Sequence, residues 1–419
     1  MTTRNDPLGR SLGRLAAGVT LSIVAMVAAA DNIQSVGAMT FSDANTLFVA
    51  DWRANEIHAL KLEPIKPVAP RTFNLKNISS PVARALHTDP DKLRFEDMAF
   101  RPNAEQAFIT LMVDRGDKAP RPALVSIDTA AKVTVINLAK TPQTAAKIKD
   151  YPAADARFWR DIPQASYTVT DMVFHDGKLY VAGLSSGSFA STLRIFDFPF
   201  TDHETATRIE MYHAVHNQME TRAPIRQMVI VTLNGEPTLV AAYTCTPLVT
   251  IPLKALQDGA HVVGKTIAEL GWGSAPVDMV TFDIGQGPQV LLINSHKSAD
   301  LMSVKSIAEA SLQPGLTKPI KWPEEPLEGL KATYIPIAGI AGLDNENAQF
   351  FGALRRNESS GDMELVSIRK GAFLRLSDFI NEYDFGDYTY PANDNWHGVH
   401  QMLRTDEGYP DLAKRALLK

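Results

Sequence analysis

His213-Ala214-Val215-His216 and His397-Gly398-Val399-His400 are two His-x-x-His pairs, each followed closely by a methionine, Met219 and Met402. Imidazole beside thioether is a donor set that suits copper. With ten histidines in the chain such spacing also arises by chance, so a surface or packing role is the competing account. The single cysteine, Cys245, sits in Tyr243-Thr244-Cys245-Thr246-Pro247. A thiolate there would serve as a nucleophile or soft metal ligand if a cationic neighbour stabilised it; otherwise it is an inert thiol. A third set is acidic. Asp97, Asp171 and Asp278, with Gln227, each stand immediately before a recurring methionine, and Glu96 precedes Asp97. If they converge, these oxygens suit a hard cation such as Ca²⁺. The alternative is that each bonds backbone N–H groups at a strand end, as turn-forming Asp does.

A fourth set lies just past a second run of apolar residues: Asp51, Trp52, Arg53, Tyr243, Cys245, His296, Arg355 and Arg356. Such a mixture of aromatic, cationic, thiol and imidazole groups suits a ligand of anionic or mixed polarity. Ion pairing at a rim would account for the arginines alone.

What must position these groups is a repeat. Met39, Met98, Met172, Met228 and Met279 each open a β-rich pair of runs, and Ile340 takes that place in a sixth copy, at intervals of 51 to 74 residues. In the third copy Met172-Val173-Phe174 leads through His175-Asp176-Gly177-Lys178 into Leu179-Tyr180-Val181-Ala182. Asp-Gly between apolar runs signals a tight hairpin. A third strand follows each pair, and a fourth is legible in several copies. Four antiparallel strands per unit of this size predict an all-β chain, a β-propeller of six four-stranded blades. A seventh blade would have to come from residues 372–419, where no further copy is visible. If every inner strand starts at one face, the acidic set and the loop set line one mouth.

Bulk properties narrow the classes. The 419 residues carry 42 basic and 47 acidic side chains, a net charge of −5, without the basic surplus of a nucleic-acid binder. Arg4, Arg10 and Arg14 precede an apolar run over 15–30 that ends in Ala28-Ala29-Ala30. This is the pattern of a secretory signal over residues 1–30, and it predicts a periplasmic or secreted protein. Nothing after Asp31 is apolar enough for a membrane span. One cysteine forms no internal disulfide. The expected domains are the signal at 1–30, the propeller at 31–371 and a C-terminal tail at 372–419.

The order of inner strand, Asp-Gly turn, "LYVA" strand and polar loop resembles the NHL-like, YVTN-type and SMP-30/gluconolactonase-like propellers over residues 33–371. That resemblance implies a channel metal, with Glu96 in Phe95-Glu96-Asp97-Met98 matching a metal-binding glutamate, although the family's asparagine ligands have no clear match here. Three functions are then open: a module binding a small molecule or a periplasmic protein, a Ca²⁺-dependent hydrolase of the lactonase type, and a copper-binding or redox accessory.

Overall fold

The computed structural model describes residues 33–66, 69, 71–245, 247–321, 323–389, 398–405 and 407. The signal-like segment and His397 lie outside them. Six inner strands, Met39–Asp43, Leu93–Phe100, Asp171–His175, Gln227–Leu233, Pro276–Phe282 and Ile340–Asn345, each pair antiparallel with the strand that follows. Two of the connecting turns are Asp176-Gly177 and Asn234-Gly235, with both residues at positive φ (47° and 72°, 51° and 84°). That conformation matches the twist of the flanking strands and is one that Gly and Asn or Asp tolerate.

Each hairpin continues into a four-stranded meander, and the meanders stand in a propeller-like ring. Alternation along the strands builds the walls between them. On Thr46–Asp51, Leu47 and Val49 pack toward the second meander, while Phe48 and Ala50 pack toward the third. Side chains of period two thus serve both faces of a sheet, each face packed against its own neighbour. The recurring methionines Met39, Met98, Met172, Met228 and Met279 are all buried in these walls.

The order around the ring is not the order along the chain. Inner strands contact one another in the circuit second, first, third, fourth, fifth, sixth and back to second. The apolar clusters follow the same circuit, the last joining Phe100 and Ile109 to Leu354 and Leu365. The outer strands explain it. After its third strand the chain leaves the first meander and adds Asn74–Leu75 to the edge of the sixth. It then builds the second meander and returns to lay Gln143–Lys147 on the edge of the first.

Two expectations are therefore corrected. Six separate four-stranded blades in sequence do not describe the molecule: among the described residues four sheets are separate and four-stranded, and a fifth has ten strands. In that sheet the outermost strands of the third and fourth meanders, Thr205–His213 and His261–Leu270, pair in parallel from Arg208↔His261 to Met211↔Gly264. The register of the sixth copy is also shifted. Leu343, not Ile340, is the counterpart of the methionines: the bulge between Ile340 and Gly342 matches those at Phe95/Asp97 and Pro276/Asp278, and the Leu343 amide takes the bond that Met39 and Met228 amides take elsewhere.

The tail packs on the sixth meander. Arg375 donates to Ser367 O at 2.5 Å and Asn74 Oδ1 at 2.8 Å, and Glu407 accepts from the amides of Leu376 and Ser377. Leu376, Val399 and Leu403 form a small cluster beneath. Among the described residues no helix is long and apolar enough to cross a membrane.

Candidate functional site

The inner strands enclose a cavity of about 850 Å³ where they begin, and Asp97, Asp171, Gln227 and Asp278 all line it. So do Glu96, Asp344, Glu346 and Arg226, which gives the wall an acidic excess.

Four of these carboxylates act as staples. Asp97 accepts the Met98 amide of its own strand and the Met39 amide of the first strand, both at 2.7 Å. Asp171 joins Met172 (2.8 Å) to Met228 (2.7 Å), and Asp278 joins Met279 (2.9 Å) to Leu343 (2.8 Å). Each ties one meander to the next around the ring. Ala38 and Gln227 stand where two further staples would be, and Gly342 where a sixth would be. Asp344 closes that last gap from two places along, joining Asn345 (2.6 Å) to Phe100 (2.7 Å).

These side chains keep a partly exposed edge on the cavity yet lie deep in the ring. Burial lifts Asp97 to about 8, and the charges of Asp171 and Asp344 add to the rise. Burial likewise lifts Asp344 to about 6 and raises Asp171 and Asp278 well above the carboxylate range, the last two with help from Asp278 and Asp97 respectively. The amide hydrogen bonds favour the anions and oppose the shift.

A resident Ca²⁺ does not fit this donor set. Calcium takes six to eight oxygens around one point. Here both oxygens of Asp97, Asp171 and Asp278 already face N–H dipoles, and Glu96 is paired with Arg94. Among the described residues these acids form no group with ligand atoms in mutual reach.

The loop set is held mostly by the fold. Asp51 is fully buried and accepts from the amides of Gln34, Ser35, Arg53 and Ala54 and from the Ser35 hydroxyl. Arg53 stacks on Trp52 and donates to backbone oxygens of Gln34 and Pro120. Arg355 bonds Glu364 at 2.6 Å and both oxygens of Asp378 at 2.8 Å, and Arg356 donates to Gly361 O. None of the eight residues in this set lines the cavity.

Cys245 and His296 come near one another, since their amides donate to the backbone oxygen and the hydroxyl of Ser274. The imidazole that joins the thiol, however, belongs to the other set: ligand atoms of His213, His216 and Cys245 all lie within 4.8 Å of one another. Met219 is not among them. On the strand Gln218–Glu220 it pairs with Tyr212 and faces away from His213, while Glu220, one place on, shares the face of His213. His400, on the helix Val399–Thr405, does not join the group.

Neither a family profile nor a curated protein matches this chain. Among solved structures, a chain from "Crystal Structure of Mitotic Checkpoint Complex" is similar at a TM-score of 0.31 and 7% identity, over 88% of this chain and all of that one. That degree of likeness carries no functional argument.

Proposed function

We propose that the chain is a binding module whose ligand occupies the central cavity, and that the ligand is a small polar molecule bearing positive charge. The observation that supports this reading is the cavity itself. Its volume of about 850 Å³ falls in the range of small-molecule sites, and six acidic residues against one arginine line it; those that burial keeps protonated would release their protons to an entering cation. The staples hold neighbouring inner strands at fixed spacing, so the wall is preformed and little ordering opposes binding. Six blades, with the ten-stranded sheet counted as two joined ones, and a place among the NHL-like and SMP-30-like propellers belong to the same proposal. So does export to the periplasm, which rests on the N-terminal sequence pattern.

The test is a thermal-shift and calorimetric screen of small amines, neutral sugars and carboxylates against the full chain. Amines are expected to bind, and Glu96→Gln together with Glu346→Gln to weaken them about tenfold or more. Preferential binding of carboxylates, or amine binding unchanged in the double variant, would sink the reading.

A further inference from the structure

The seam of the ten-stranded sheet carries a cluster of donor groups unrelated to the central cavity. Thr205–His213 ends the third meander and turns through Ala214–Asn217 into Gln218–Glu220, which folds back beside it. This tight hairpin places His213 and His216 with ring centroids 3.9 Å apart. Glu220 Oε1 lies 3.0 Å from His213 Nδ1 and 2.5 Å from His216 Nδ1. From the fourth meander comes Cys245, on the turn between Glu236–Ala242 and Pro247–Pro252. Its φ of 66° is in the left-handed region, a strained choice for a residue with a side chain. Glu269, on the partner strand of the seam, reaches within 4.0 Å of His213 Nε2 and accepts the Ala214 amide.

His213 is only 1% exposed; its Nδ1 faces Glu220, while its Nε2 makes no hydrogen bond. The buried Tyr243 hydroxyl, close to the same Glu220, faces Ser191. A buried ring nitrogen left without a partner, as Nε2 is, is costly, and it marks a place where a partner belongs.

We propose that His213, His216 and Cys245 bind one thiophilic transition-metal ion, of the zinc or copper class, that bridges the third and fourth meanders. Two imidazoles and a thiolate are the ligands such ions select over calcium or magnesium. Glu220 stands against both Nδ1 atoms, so each ring carries its proton there and presents Nε2 to the ion, the usual carboxylate support of a metal-bound histidine. Around a tetrahedral ion the donor atoms sit about 3.3–3.7 Å apart. The group therefore closes by at most about 1.5 Å, which two loop tips, one of them the half-exposed His216, can supply. Three protein ligands leave a fourth position for water, Glu269 or a bound molecule.

The full chain, stripped with chelator, is titrated with Co²⁺, Zn²⁺ and Cu²⁺ and passed through gel filtration. One ion per chain is expected to stay bound, with a near-ultraviolet thiolate-to-cobalt band for Co²⁺. Cys245→Ser should abolish that band and weaken Zn²⁺ at least tenfold. His216→Asn should also weaken Zn²⁺, while His203→Asn, an exposed histidine outside the cluster, should change nothing. Circular dichroism checks each variant's fold. If Cys245→Ser does not fold, the half-exposed His216→Asn decides the matter. No stoichiometric ion on the wild type, or equal retention by folded Cys245→Ser and His216→Asn, would overturn the proposal.

Discussion

Asp171 shows how one side chain serves two strands at once. Its oxygens hold the Met172 amide of its own strand and the Met228 amide of the next meander. Asp171→Ala leaves both amides without that acceptor, at about 1–3 kcal/mol for each one not rescued by cavity water. The expected outcome is a lower urea midpoint with an unchanged slope, read by fluorescence; a wild-type midpoint would show that water replaces the carboxylate fully. The shared position of Asp97, Asp171 and Asp278 was legible in the sequence because the register of a strand fixes its faces. Which of two tasks they perform was not, because the second amide of each comes from a different meander. Asp344 was missed because it lies off the repeated register. The seam cluster divides in the same way. The His213/His216 spacing was visible, but Glu220 was missed, and the thiol arrives from a turn about 30 residues on. Only the tertiary fold brings it there in place of Met219.

Strands with clear alternation and a turn signal were readable; two of the edge strands were not. Asn74–Leu75 has two residues and Gln143–Lys147 reads QTAAK, so neither shows a period or the β-branched enrichment that marks a strand. Their places are set by what they meet. Phe73, just before the shorter one, is fully buried against Phe100 with centroids 5.3 Å apart. Its amide donates to the Ser367 hydroxyl at 2.7 Å, and its oxygen accepts the Ser367 amide at 2.8 Å. Phe73→Ala removes the plug at this joint and should destabilise the chain by about 3–5 kcal/mol. Denaturant unfolding checks it, and a loss below about 1 kcal/mol would mean that the edge strand contributes little to closure. The true place of the sixth copy escaped the sequence reading for a related reason. Ile340 and Leu343 are both buried, so apolar character alone cannot choose between them.

At the scale of the whole molecule, the crowd of buried acids sets the response to pH. Burial pushes Asp97 and Glu346 up to about 8 and Asp344 to about 6. A carboxyl raised in the folded state binds its proton more tightly there than in the unfolded chain. Its contribution is complete below the ordinary carboxylate pKa near 4 and fades as pH rises through 6 and then 8. Glu220 runs the other way: burial is outweighed by His213 and His216, which hold it at about 2. Its contribution is present above about 4.5 and is lost only as pH falls toward 2. The melting temperature is therefore expected to be higher at pH 5.5 than at pH 8.5 by a few degrees, for a chain of this size. Calorimetry across that window decides, and a rise toward pH 8.5 would contradict the burial argument.

The displaced order of the meanders also bears on how the chain comes into being. A ribosome delivers residues in sequence, and Phe73 must wait for Ser367, 294 positions later. Until then the second meander has no neighbour on one side, and Phe100, Ile109 and Leu111 face water rather than Leu354, Met363 and Leu365. Every unfinished chain thus carries an uncovered greasy flank, the condition that invites clumping or a chaperone's grip. Contacts so distant in sequence form slowly. The ring shuts last, after translation has reached the strand Met363–Arg369.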